Sequence, residues 1–109
     1  MEKKFGKIQY VHYGFCGYQD AMLGLRVTLG GDGWGVGADK PGHWTTRISN
    51  STEWTEADRI QGFGKNANEI LELLRDAKVQ SVDQLKDIPV ECTFEGNSLK
   101  SWRILKEVL

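Results

Sequence analysis

Hydrophobic and polar positions change period several times along this chain, and each change marks an element. Residues 5–13 hold Ile8, Tyr10 and Tyr13, with Val11 and His12 between them, and the spacing predicts a first strand. Gly14-Phe15-Cys16-Gly17-Tyr18-Gln19-Asp20 follows as a glycine-punctuated loop or bulge. From Ala21 to Leu29 the alternation is regular: Leu23, Leu25, Val27 and Leu29 fall on one face, Gly24, Arg26 and Thr28 on the other. Asp32-Gly33 then separates this run from Trp34–Ala38, a strong signal for a hairpin. Asp39-Lys40-Pro41-Gly42 ends the return strand, and residues 43–48 make a further short strand possible.

The period then lengthens to that of a helix. Thr55 is a good N-cap, and Asp58 completes a weaker form of the capping box. Ile60, Phe63, Ala67, Ile70, Leu71, Leu74 and Ala77 follow three-four spacing and predict one apolar stripe. Gly62 and Gly64 each weaken the first turns by ~1 kcal/mol relative to alanine, so an alternative start lies near Lys65. Ser81–Leu85 reads as a short helical turn capped by Ser81 and stopped by Pro89. Val90, Cys92 and Phe94 alternate with Glu91, Thr93 and Glu95, Gly96-Asn97 turns the chain, and Leu99–Leu105 returns. The expected fold is therefore α+β, an antiparallel sheet of about five strands with one main helix packed on one face. The 109 residues fit a single domain, 1–109.

Charge and cysteine content narrow the classes. A formal net charge of −1 lacks the Lys and Arg excess that duplex-DNA binding usually shows. Cys16 and Cys92 form no zinc-ribbon spacing, the N-terminus leads into no secretion signal, and no apolar run is long enough for a membrane span. These features predict a cytoplasmic protein with two reduced thiols and no membrane contact.

Candidate chemistry is sparse. Gly31-Asp32-Gly33-Trp34-Gly35-Val36-Gly37 spaces its glycines at every second position, not in the dinucleotide fingerprint, and no helix follows to offer its N-terminus to a phosphate. As a strand it would put Gly33, Gly35 and Gly37 on one face, seating the helix or an aromatic ring, or forming a shallow docking groove anchored by Trp34 or Trp44. His12, Cys16, Asp20, His43 and Cys92 match no common metal-site spacing, so no metal or cofactor is expected. A nucleophile pair of Cys16 with His12 lacks an orienting third group, and no enzyme is expected. Glu53, Glu56 and Asp58 are accounted for by the helix cap and dipole. Trp44, Arg47, Trp54, Arg59, Trp102 and Arg103 combine aromatic and basic character, suited to a protein partner or to stacked single-stranded bases. At least two of the four tryptophans belong in so small a core, with Trp34 and Trp102 the expected pair.

The segments Gly14–Asp20, Gly24-Leu25 and Gly33–Gly37, with the run Trp102–Leu109, resemble a group of small accessory proteins of tailed bacteriophages and prophages. The resemblance implies work in the cytoplasm of a host bacterium and carries over no catalytic residue. It implies a non-enzymatic protein that binds a host or phage protein, including as an inhibitor of a bacterial defence system. On this reading Trp34, Trp44, Arg47 and Trp54 are the expected partner contacts. The alternative is a single-strand nucleic-acid binding module. Hairpin edges on a small sheet also allow a homodimer.

Overall fold

The computed structural model describes residues 1–16, 22–39, 44–45 and 55–109, with the backbone alone for 44–45. Among these residues six strands, β1 (Glu2–Cys16), β2 (Met22–Gly31), β3 (Trp34–Asp39), β4 (Trp44–Thr45), β5 (Pro89–Glu95) and β6 (Ser98–Ile104), form one antiparallel sheet with one main helix, α1 (Glu56–Ala77). The order across the sheet is β3-β2-β1-β5-β6, and β4 continues the β3 edge by pairing with Met22 and Leu23 of β2. The expected α+β architecture is the observed one.

β1 is the longest strand because it serves two neighbours. Its first part, Glu2–Lys7, pairs with Phe94–Pro89 of β5, and Lys7–Cys16 pairs with Gly30–Met22 of β2. The register slips between Ile8 and Tyr10, so Gln9 is an extra, bulged residue. A one-residue slip exchanges the two faces for all that follows. Before the bulge Lys4, Gly6 and Ile8 face inward, with Val90 and Cys92 of β5. After it Val11, Tyr13 and Phe15 share the face of Val27, Leu25 and Leu23. The residues expected as a loop, Gly14-Phe15-Cys16, are strand; Gly17–Ala21 lie outside the described residues.

The inner face carries the core: Ile8, Leu25, Val27, Leu29, Val90, Cys92, Phe94, Trp102 and Ile104, closed by Leu73 and Ala77 of α1 and Leu85 of a 3₁₀ turn at Val82–Leu85. Trp102 is buried as expected, and Trp34 is half-buried. The Trp34 ring lies where side chains are missing beneath it. A Cβ on Gly31 would sit 2.8 Å from its Nε1, and a Cβ on Gly6 would sit 2.9 Å from Cζ2 and run into the Gly30 carbonyl. The ring thereby reaches Phe94 edge-on, with centroids 5.7 Å apart. The Lys4 ammonium stands 5.8 Å and 5.4 Å from the two ring centroids.

The expectation for the β3 glycines needs correction. Gly33 belongs to the two-residue turn, at φ 78°, and not to the strand. Gly35 and Gly37 do face away from Trp34 and Val36, yet among the described residues they seat neither helix nor ring: a Cβ on Gly37 would meet none of these within 4 Å.

The capping box at Thr55 is complete. The Asp58 N–H donates to Thr55 Oγ1, and the Thr55 N–H donates to Asp58 Oδ2, each at 3.1 Å. This holds the start at Glu56, and Gly62 and Gly64 do not delay it. At the other end Lys78 takes φ 59°, and the Lys78 and Val79 N–H groups bond the Arg75 and Leu74 carbonyls, a Schellman closure with lysine at the usual glycine position. The expected apolar stripe is rotated. The buried positions are Gly62, Asn66, Leu73 and Ala77, while Ile60 and Leu71 are 60% and 42% exposed. At 3.6 residues per turn the shift is about a quarter of a turn. Leu73 apart, small and polar residues line the buried arc, and Asn66 Oδ1 accepts from the Tyr13 hydroxyl at 3.4 Å, a link that apolar periodicity does not register.

Two smaller differences concern the ends of elements. Ser81 makes no side-chain cap; Gln84 Oε1 instead accepts from the Gln80 N–H at 2.8 Å. The last strand ends at Ile104, and Lys106–Val108 form a 3₁₀ turn.

The glycine contacts yield a paired test. Gly6→Ala should destabilise the domain by about 2–3 kcal/mol, through overpacking against backbone and ring. Gly37→Ala should change stability by less than about 0.5 kcal/mol. Urea unfolding of the two variants decides, and equal effects would contradict the Trp34 packing.

Candidate binding face

The sheet's alternation sends a second set of side chains outward: Lys3, Phe5, Lys7, Tyr10, His12 and Cys16 from β1, and Met22, Arg26 and Thr28 from β2, with bare Gly35 and Gly37 on β3. Among the described residues no helix covers this outer face. Phe5 is 63% and Tyr10 57% exposed, unusual for aromatic rings on a small domain. Both were missed as site residues. Their signal was parity: Phe5 alternates with the inward Gly6 and Ile8, and Tyr10 faces outward only because Gln9 is bulged.

A cleft of about 320 Å³ opens on this face, lined by Tyr10, His12, Cys16, Arg26, Thr28 and Gly37 among others. His12 and Arg26 are direct cross-strand partners, and Arg26 is in turn opposite Asp39, with Nε 3.4 Å from Oδ1. His12 Nε2 lies 3.3 Å from the Phe15 carbonyl, which folds its ring along the strand over Gly14. At the other end of the face runs a chain of charges. Glu91 pairs with Lys3 at 3.4 Å and with Arg103 at 3.3 Å, and Arg103 bonds Glu107 at 2.6 Å. The Arg103 hydrogen bond holds the Glu107 carboxyl down at about 2, so it keeps its charge across the ordinary pH range.

The expected partner contacts divide. Trp34 is turned to the inner face and packs on Phe94. Trp44 lies in β4, its backbone paired with Leu23. Arg47 and Trp54 lie outside the described residues, as do Asp20, His43 and Glu53. Of the remaining aromatic-basic set, Trp102 is buried, Arg103 joins the outer charge chain, and Arg59 lies 4.9 Å from the Phe63 ring centroid while pairing with Glu56 at 2.7 Å.

Cys16 is buried on the outer side of β1, and Cys92 faces the core from β5. Among the described residues no group of three or more His, Cys, Asp or Glu side chains is arranged to hold a metal. Burial pushes the Cys92 thiol up to about 11, with the Glu91 charge adding to the effect. Among the described residues no helix is long and apolar enough to cross a membrane. Comparison of the chain with protein-family models, with curated proteins and with solved structures returns no match.

The Cys92 environment has a pH consequence. The folded state retains the thiol proton that the unfolded chain releases near 9.0, so the stabilisation is full below that pH and is lost as pH rises through about 11. The urea midpoint should fall over this interval, and Cys92→Ala should flatten the fall. Iodoacetamide at pH 8 should label neither cysteine in the folded protein and both in denaturant. Labelling of folded Cys92 at the rate of a free thiol would contradict its burial.

Proposed function

We propose that this chain is a non-enzymatic binding protein and that it engages a protein partner through the outer face of its sheet. The observation that carries the reading is the pair of exposed rings, Phe5 and Tyr10, on a sheet face that no described helix covers. Aromatic anchors ringed by polar groups are the usual hot spots of protein interfaces. A protein is favoured over a nucleic acid because, of the four cations named on this face, Lys3, Arg26 and Arg103 are already held by a carboxylate, which leaves Lys7. Phosphate recognition draws its affinity from cations free to replace counterions.

Trp44, Arg47 and Trp54 stay proposed contacts on the strength of residue type. Trp34 gives its ring to the core, so its truncation would report on folding as well as binding. What supports a host or phage protein as the partner, in a bacterial cytoplasm, is the resemblance of Gly14–Asp20, Gly33–Gly37 and Trp102–Leu109 to small phage accessory proteins. Inhibition of a defence system would follow from occupying that partner's surface.

The test compares the wild type with a Phe5→Ala/Tyr10→Ala variant as bait in nuclease-treated bacterial lysate. The variant should keep its thermal midpoint and lose at least about tenfold of the specifically captured protein, as expected for hot-spot truncation. Equal capture by both would remove the outer face as the binding surface. Recovery that depends on intact nucleic acid and falls steeply with salt would instead support single-strand binding by the same rings.

A further inference from the structure

The second half of β1 has a strand neighbour on one side only among the described residues. On the β5 side the ladder ends at Ile8, whose N–H donates to the Ile88 carbonyl at 3.0 Å and whose C=O accepts from the Asp87 N–H at 2.7 Å. Asp87 takes φ 71°, and the chain before it runs through the Val82–Leu85 turn and not along β1. Beside β1 there remains an open groove of about 460 Å³, walled by Gln9–Tyr13 on one side and by Val82, Asp83 and Lys86 on the other.

Antiparallel geometry says which backbone groups face this groove. Directly opposed residues alternate between exchanging hydrogen bonds and pointing them away. Ile8 directs its groups away from β2, so its pair with Leu29 is of the second kind; Tyr10 with Thr28 is then of the first, and Val11 with Val27 again of the second. Val11 and Tyr13 therefore present their N–H and C=O groups to the groove; Phe15 turns its own to the same side of β1 beyond it, where the His12 ring nitrogen lies within hydrogen-bond distance of the Phe15 carbonyl. Natural sheets protect such edges with charge, proline or a covering element. Ile8–Cys16 contains no Lys, Arg, Asp, Glu or Pro, and it exposes Tyr10, Tyr13 and Phe15, the last by 67%. The outer edges differ: β3 ends in Asp39, and β6 carries Lys100 and Arg103.

We propose that this groove takes one extended, uncharged segment of a partner protein, added to the sheet as a strand in line with β5. Continuity with the existing β1–β5 ladder sets its path, and main-chain bonds to Val11 and Tyr13 hold it. The β1 wall is uncharged and aromatic, and the opposite wall brings one acid and one base, Asp83 and Lys86, with no net charge between them, so the groove favours an apolar, strand-forming segment over a charged one. A second copy of the chain fits less well. An isologous contact would bring the Val82–Lys86 wall of each copy against the strand of the other, whereas a single extended segment passes between wall and strand. The proposal shares with the outer-face reading the premise that the chain binds protein and the residue Tyr10, which borders both surfaces, and its test is made on the unmutated chain and read at Val11 and Tyr13.

The experiment is amide-resolved NMR of the full chain, free and with a blocked synthetic peptide of alternating Thr and Val at about 1 mM, the range suited to a weak generic strand. In the free protein the Val11 and Tyr13 amides should exchange with solvent at least about tenfold faster than those of Tyr10 and His12, which bond β2. The peptide should shift resonances of Gln9–Phe15 and Val82–Lys86 and slow exchange at Val11 and Tyr13. The same peptide N-methylated at alternate residues along one edge should do neither. Protection of Val11 and Tyr13 in the free protein at every concentration would mean that the groove is already filled and overturns the proposal. Protection that grows with protein concentration would assign the groove to a second copy and overturns the choice of occupant. No shift with peptide, or equal shifts with the N-methylated control, overturns strand addition itself, whatever the lysate capture shows for the outer face.

Discussion

β1 divides its fifteen residues between two neighbours, and the joint between the two halves sets the geometry of the sheet. At Ile8 the strand is fully buried and bonded to the segment that leads into β5; one residue later Gln9 is inserted without a partner. Ile8 and Val11 can then both face the core although they lie three apart. Were Gln9 paired as a regular strand residue, Tyr10 would point into the apolar interior and Val11 to solvent. The inserted residue thus separates an apolar inner face, closed by α1 and the Val82–Leu85 turn, from an outer face of rings, hydroxyls and paired charges.

The inner face is assembled from unequal pieces. Its centre is aliphatic, with Ile8, Leu25, Leu29, Leu85 and Val90 wholly removed from water. One end is closed by Trp34, and that ring can lie across β2 and β1 because Gly31 and Gly6 have no side chains to lift it. The helix contributes mainly through its C-terminal half, where Leu73, Leu74 and Ala77 meet the core. Its N-terminal half keeps Ile60 in solvent and is held in shape by its own cap and by the Glu56–Arg59 pair. Such local devices count in a domain this small, where folding leaves only a modest surplus of stability.

Legibility in the sequence followed how local the cause was. Asp32-Gly33, Gly96-Asn97, the Thr55–Asp58 cap and the alternation of Leu23, Leu25, Val27 and Leu29 each act within a few residues, and each was readable. The bulge at Gln9 was not, because Ile8, Tyr10 and Val11 suit a strand in either parity and only pairing with β2 selects one. The rotation of α1 was hidden for a related reason. The helix has more apolar residues than the sheet can cover, and Leu73 is buried together with the small residues Gly62 and Ala77 and the polar Asn66, while Ile60 and Leu71 are left exposed. Phe5 and Tyr10 as site residues depended on that same parity, so the candidate face was less legible than the fold. The emphasis on tryptophan pointed instead at Trp34, whose half-buried ring is largely spent on packing.

The division of β1 also imposes an order on assembly. The segment that pairs with β2 meets its partner after a short stretch of chain, whereas Glu2–Lys7 must wait for Pro89–Phe94. Contacts so distant in sequence close late and slow the search for the native state. During synthesis Glu2–Lys7 emerges well before Pro89–Phe94 and is paired only once that later segment is available. Until β5 arrives, Lys3, Lys4 and Lys7 keep that waiting stretch charged and well hydrated, a safeguard for a strand that is long in need of its second neighbour.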